Sequence, residues 1–400
     1  MASIVYRGVG PRIAYERRVA CLSQADLARG ARVSLGTIRK VERGERGVSD
    51  AVLEAIAGAL GIDPARLLPE RERPDDRVRQ AMPGLSAVLV TYEEPEEEQD
   101  DGPCRDLPEL RTAVATVVEH RLSAQYARIA RSAPGLLAEL CRALDTAAPG
   151  DRPEVARLVV DTCRAADAVA FKHGAKDLSA RLLDLMRWAG VQTHDPIVDA
   201  AVAYVRAELH FGAGTHAVGL RALERALDRA PRTDSAESLA ARGALHMRAA
   251  VLAGRAGDGD AADVHLDDAR ELGDRVPEGV YQGTAFGPGS VRVHEVSVAV
   301  SLGDGHVGRA LRLAREWKPP LNLPAERRSG FYIELGRAQL WSGRPDAAFA
   351  SLKMARRIAP QHAREHRWVR EDAATLRRLK RADAGSLSSF AEWCHAGAGA

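Results

Sequence analysis

The chain has 400 residues, 46% of them hydrophobic but only 4% aromatic, and a formal net charge of +2. That length holds two or three domains whose cores are built mainly from Ala, Leu and Val, and no apolar run approaches the roughly 18 residues of a membrane span. The five cysteines, Cys21, Cys104, Cys141, Cys163 and Cys394, are scattered without a CxxC pair, which is neither a disulfide framework nor a zinc site; with no signal peptide in view, the expectation is a cytoplasmic protein with free thiols.

Helix signals are dense at the start. A first amphipathic stretch runs from about Pro11 to Ala20. Ser23 opens a second helix with Asp26 as its capping-box partner, Leu27 and Ala28 supply its buried face, and Gly30 ends it. Ser34 caps a third helix, which Gly44 stops. Ser49-Asp50 begins a fourth, whose Leu53, Ile56, Ala57 and Leu60 form an i, i+3, i+4, i+7 stripe closed by Gly61. Asp63-Pro64 starts a last short turn ending at Leu67-Leu68. Five short helices in under 70 residues make a small all-α domain over 1–68, with 11 basic and 7 acidic residues, net +4.

At about 100° per residue, Ile38 and Val41 of the third helix point inward, and Gly36, Arg39, Lys40 and Arg43 hold the opposite face. A short helix with an apolar back and a basic front, presented after a tight turn, suits the major groove of DNA. Leu22-Ser23-Gln24, Asp26-Leu27-Ala28, Val33-Ser34, Thr37-Ile38, Val41-Glu42-Arg43-Gly44 and the closing "ALGIDPARLL" match in order and spacing the Xre/Cro-C1 repressor-type helix-turn-helix family, which the segment from Gly10 to Leu68 resembles. The resemblance implies that Gln24 touches a phosphate from the start of the second helix. It places Leu35, Gly36 and Lys40 toward bases, and Arg43 and Arg46 toward phosphates. With Ser34, Thr37 and Arg39 these form the expected DNA-contacting set. It also implies a buried ion pair between Arg17 and Glu42. The chain departs from many relatives at Leu35-Gly36, where neither side chain donates to a base, although leucine can pack on a thymine methyl.

Residues 69–106 read as an acidic, Pro-rich linker: Pro69 to Glu109 carries 5 basic and 13 acidic residues, net −8, with the run "EEPEEEQDDGP" at 93–103. A second reading makes that run a competitor of DNA for the basic head. Between its charged ends "LSAVLVTY", Leu85 to Tyr92, reads as an isolated strand or packed extended arm.

From 107 to 400 the text is helical and repetitive. "GFYIELGRAQLWSGRPDAAFASLKMARRIAP" places Leu335-Gly336, Gly343, Ala348, Leu352, Ala355 and Pro360 at the offsets of the 34-residue tetratricopeptide pattern, where small residues let two antiparallel helices approach and the proline stops the second. Turn glycines at 174, 214, 257, 303 and 343 mark about five degenerate copies. The expected fold is therefore all-α, a five-helix head followed by a right-handed tetratricopeptide-like α-solenoid. The later part also resembles the C-terminal domain of a large group of actinobacterial helix-turn-helix regulators through Phe286-Gly287-Pro288, His294 and Gly303-Asp304, while Gly289-Ser290 depart from their usual Thr-Asn. The joined architecture is similar to that of peptide-sensing quorum regulators.

Rival chemistry is thin. "GDGHVG", Gly303 to Gly308, is a literal GxGxxG, but no second strand-helix-strand unit accompanies it, so it reads as a repeat turn. "HAREH", His362 to His366, has the spacing of inverted zinc peptidases but reads as solvated helix. No catalytic elbow or paired carboxylate site stands out, so neither an enzyme, a cofactor nor a metal is expected. The expected function is a sequence-specific DNA-binding transcriptional regulator that meets a two-fold operator as a homodimer and does not engage a membrane. Its repeat domain would dimerise, or sense a peptide or small-molecule effector through Tyr204, Glu208, Phe211, Phe286, His294 and Arg337. The alternative is a protein–protein scaffold whose head is an adaptor.

Overall fold

The computed structural model describes residues 5–6, 9–20, 22–62, 64–67, 74–93, 104–379 and 384–394. The chain forms two compact units, one of Met1–Arg79 with Val369–Ala400, the other of Gln80–Trp368.

The first unit begins with β1 (Val5–Tyr6), α1 (Gly10–Val19), α2 (Gln24–Gly30), α3 (Leu35–Glu42), β2 (Val48–Ser49) and α4 (Asp50–Leu60), then a 3-10 turn at Pro64–Leu67. Several boundaries have a local cause. Ser23 and Asp26 form the reciprocal capping box. Ser34 accepts from the Thr37 amide at 3.1 Å. Gly61 ends α4 in the left-handed region at φ 71°. Ile13, Leu27, Ile38, Ile56 and Leu67 are wholly buried in one core, each contributing about 1.5–3 kcal/mol of transfer free energy. The short antiparallel β1–β2 pairing, Val5 with Ser49 and Tyr6 with Val48, was not apparent in the residue pattern.

The same unit takes up part of α20 (Arg367–Leu379) and all of α21 (Ala384–Trp393). Leu387, Phe390 and Trp393 are buried, and Ser389 Oγ donates to the Gly61 carbonyl. The head is therefore not confined to residues 1–68.

The expected arm at Leu85–Tyr92 is instead the end of α5 (Pro74–Thr91). Leu85, Val88 and Leu89 are buried while Val90 is exposed. Two consecutive buried positions contradict a half-buried strand and follow the helical i, i+3, i+4 spacing. Residues 94–103 of the acidic run lie outside the described residues.

The second unit continues with α6 (Leu107–Leu122), α7 (Tyr126–Thr146), α8 (Arg152–Lys172), α9 (Lys176–Gln192), α10 (Pro196–Arg206), α11 (Glu208–Ala213), α12 (His216–Arg229), α13 (Ala236–Ala256) and α14 (Gly259–Gly273). After a hairpin of β3 (Gly279–Tyr281) and β4 (Thr284–Phe286) come α15 (Pro288–Ser301), α16 (Val307–Glu316), α17 (Ala325–Trp341), α18 (Pro345–Ile358) and α19 (Pro360–Glu365). Consecutive helices pair: α8 with α9, α13 with α14, α17 with α18. All five turn glycines, 174, 214, 257, 303 and 343, have φ between 70° and 90°, the left-handed ending that favours glycine. "GDGHVG" lies on the 3-10 turn between α15 and α16, and the valine run before it is helix rather than strand.

The β3–β4 hairpin turns through Gln282 and Gly283, both at positive φ, as a tight two-residue turn requires. Phe286 at its end is wholly buried. Its ring fills the space beside Gly243, where a Cβ would stand 1.9 Å from Cζ.

Candidate functional site

The expected DNA-contacting side chains lie on α3, at its two ends and in the turn after it, with Gln24 at the start of α2. Ile38 and Val41 of α3 are buried. Ser34, Gly36, Arg39, Lys40, Arg43 and Arg46 are exposed, and Leu35, Thr37 and Gln24 are half-buried. Thr37 is not idle: its Oγ1 lies 2.9 Å from Ser34 Oγ. Arg43 pairs with Glu45 at 2.9 Å, both more than half or half exposed, so the pair is worth well under about 1 kcal/mol and exchanges readily for a phosphate.

Behind this face, Arg17 of α1 donates to both Glu42 oxygens, Nε at 2.6 Å and Nη2 at 2.9 Å. Arg17 Nη1 also donates to the Leu22 carbonyl at 3.0 Å, and Gln24 Nε2 donates to Glu42 Oε2 at 2.8 Å. Burial alone would push the Glu42 carboxyl up. The hydrogen bonds from Arg17 and Gln24 and the charges of Arg17 and Arg18 outweigh it, and the group is held below the ordinary carboxylate range. Glu42 thus ties α1 to α3 and holds the Gln24 amide at the start of α2, which sets the attitude of the basic face.

In the second unit a buried polar network joins residues of α10, α11, α13, α15 and α17 with Trp368. Tyr204 is its hub. Arg327 Nη2 donates to its hydroxyl at 2.6 Å, and Arg248 lies over its ring at 4.1 Å. Arg248 also donates to Glu208 at 3.0 Å. Arg255 stacks over Phe211 at 4.5 Å and over Trp368 at 5.2 Å, and Arg337 stacks over Trp368 at 4.5 Å. His294 Nε2 is 3.2 Å from Arg327 Nη1, and its Nδ1 meets the Ser290 carbonyl at 2.8 Å. Five expected effector residues, Tyr204, Glu208, Phe211, His294 and Arg337, therefore stand in one network. Phe286 does not join them: it is a core residue against Gly243.

The residue pattern did not single out the cations that complete this network. Arg164 donates to the Gln282 carbonyl at 2.6 Å and to Thr284 Oγ1 at 2.7 Å, and Arg121 donates to the Gly283 carbonyl at 2.5 Å, so the hairpin tip is pinned by guanidiniums. Glu326 pairs with Lys172 at 3.4 Å. "HAREH" is not solvated helix: α19 ends at Glu365, His362 is buried, and its Nδ1 lies 3.0 Å from Ser329 Oγ.

Electrostatics follow burial. Arg164 is pushed down to about 9, first by burial and then by Arg121, and still carries its charge at neutral pH. His294 is driven well below the usual imidazole value by burial and Arg327, so it is neutral. Glu326 overcomes its burial because Lys172, His362, Arg121 and Arg327 hold it down at about 2. Glu334 goes the other way, pushed up to about 7 by burial. The interior is thus richer in fixed positive than in fixed negative charge. Arg121 Nε and Arg248 Nε are buried without a hydrogen-bond partner among the described residues. Glu208, Glu326, Lys172 and Arg248 keep 24%, 28%, 18% and 16% of their side-chain surface accessible, so the network lines space that solvent reaches.

Among the described residues no helix is long and apolar enough to cross a membrane. Residues 16–67 match the helix-turn-helix family. No curated protein matches the chain. Solved structures similar to it include these two. BtubC (BKLC) from P. vanneervenii shares 16% identity over 56% of this chain and 89% of that one, at a TM-score of 0.36. Bacillus thuringiensis PlcR, solved in complex with the peptide PapR7 and DNA, shares 15% identity over 67% of this chain and 95% of that one, at a TM-score of 0.30. Likenesses this distant assign no role to any residue here. What α1 to α4 build, with the capped second and third helices inside the matched residues, is a helix-turn-helix domain of the Xre type.

Proposed function

We propose that the chain is a transcriptional regulator that reads operator DNA through α3 and senses an effector through its second unit. The observation that carries the first half is α3 and the turn after it: Arg39 and Lys40 exposed on the helix and Arg43 and Arg46 exposed just beyond its end, with Ile38 and Val41 locked into the core on the other side. One such helix reads too few bases for a genome, so the protein acts as a homodimer on two half-sites about one helical turn apart. Leu35 and Gly36 contribute shape and a thymine-methyl contact, leaving hydrogen-bonded readout to Lys40 and Arg39.

The effector half rests on the polar interior. Its excess of guanidinium groups, two of them with an unsatisfied Nε, favours a ligand with an anionic group, either a small-molecule carboxylate or a peptide presenting one. Such a ligand would act by favouring one of two arrangements of the unit and so one spacing of the heads.

The test is a gel shift of the full chain on DNA upstream of its own gene at 50 and 200 mM salt. Arg43 and Arg46 from each of two protomers neutralise about four phosphates. Affinity should then fall about a hundredfold across that range. Retardation of no genomic fragment at either salt would overturn the reading.

A further inference from the structure

The α12–α13–α14 layer holds a cluster that neither the DNA face nor the polar interior uses. His246 of α13 and His265 of α14 face each other with their Nδ1 atoms 3.0 Å apart. Asp268, one helical turn beyond His265, brings Oδ2 to 3.3 Å from His246 Nδ1. One ligand atom from each of the three lies within 4.8 Å of the other two. Tetrahedral ligands about 2.0–2.1 Å from a zinc ion stand about 3.3 Å from one another, so two of the three separations already have the span a metal imposes. Positions i and i+3 put His265 and Asp268 on one helical face, and His246 answers from the facing helix, the arrangement by which helix pairs build metal sites.

A second observation points to a ligand here. The cluster opens on a cavity of about 440 Å3, which His246 and Asp268 help to line. Glu224, Asp228 and Glu271 add carboxylates to Asp268, against the guanidiniums of Arg232, Arg242 and Arg275. Four negative groups against three positive ones favour a cation. Asp234, outside the lining, already engages Arg275 at 2.6 Å. His246 is 11% and Asp268 47% exposed, so the donors are partly shielded yet reachable from solvent. The expectation from the scattered cysteines was that no metal binds; imidazole and carboxylate donors escape that argument.

We propose that His246, His265 and Asp268 bind a divalent first-row transition metal of the zinc type, with its remaining coordination positions open to the cavity. Two imidazoles and one carboxylate without thiolate suit zinc, nickel or cobalt over calcium or magnesium, which take all-oxygen sites. Three protein ligands leave a fourth position for water or for an anionic ligand in the cavity.

Calorimetric titration of the full-length chain with Zn2+ tests this. One ion per chain should bind, and Asp268→Asn, on a half-exposed position that folding tolerates, should weaken binding at least tenfold. His265→Gln should do the same, with circular dichroism confirming its helicity. The absence of saturable binding overturns the site. Binding whose affinity and stoichiometry are unchanged in both variants also overturns it, since the ion then sits elsewhere.

Discussion

Removing the Glu42 carboxylate isolates the contact that sets the reading face. Glu42→Ala deletes the acceptor of three hydrogen bonds, two from Arg17 and one from Gln24. The Arg17 and Glu42 side chains are 13% and 7% exposed, so the guanidinium is left with only the Leu22 carbonyl and little water. Breaking a pair this shielded by removing one partner costs about 3–5 kcal/mol. The low end applies, because Arg17 keeps one bond and some exposure. Against a domain stability of about 5–15 kcal/mol the head stays folded but marginal. Arg17→Leu/Glu42→Leu, which removes both charges, should recover most of the loss. Because Glu42 is held below its ordinary value near 4.5, its contribution is full above that pH. It fades as pH falls through the folded value, and the variant should lack this acid-side slope. Urea unfolding of the full chain at pH 7 and pH 4, followed by tryptophan fluorescence near Trp393, measures both effects, and a gel shift reports DNA affinity. A loss below about 1 kcal/mol would refute the reasoning. So would an Arg17→Ala/Glu42→Ala double variant whose cost equals the sum of the singles.

Lys40→Ala should weaken binding chiefly at one base position, whereas Arg43→Ala should weaken all sequences alike and lower the salt slope by about 1; matched losses in a base-substitution series would make Lys40 a phosphate contact instead. Gly243→Ala sets a methyl group 1.9 Å from the Phe286 ring and should cost at least about 1–3 kcal/mol in thermal unfolding, with part of the loss restored by adding Phe286→Leu. Glu334, raised to about 7 by burial, favours the fold in its protonated form. Stability should therefore decline as pH rises from the ordinary carboxyl value through about 7, and Glu334→Gln should flatten that decline in a melting series from pH 5 to 8.

Local signals made much of the fold readable. Capping residues at 23 and 34 and glycines at 61, 174, 214, 257, 303 and 343 act within one turn of chain, so residue order alone reveals them. The outward side of α3 was legible for the same reason: Ile38 and Val41 fix the inward direction and everything else follows by angle. The β3–β4 hairpin was missed although Gln282-Gly283 between "GVY" and "TAF" carries a turn signature. Its surroundings read as repeat. The guanidinium network was not legible at all. Arginine is abundant throughout this chain, and nothing in the local text separates Arg164 or Arg327 from solvated neighbours. Only the helical pairs bring them together. The His246–His265–Asp268 cluster lay between these cases. Its i, i+3 half is visible on α14, but the partner imidazole comes from α13.

The return of α21 to the first unit has a consequence in time. Ser389 and Gly61, which it joins, are 328 residues apart in sequence, and the entire second unit is strung between them. During synthesis α1 to α4 emerge first and can pack at once, but Phe390 and Trp393 arrive only after every helical pair has left the ribosome. Closing so large a loop belongs to the slow, late class of folding events. A nascent chain that has not yet extended through α21 therefore carries α1 to α4 without the buried Leu387, Phe390 and Trp393, and the first unit is finished only after the second has been made.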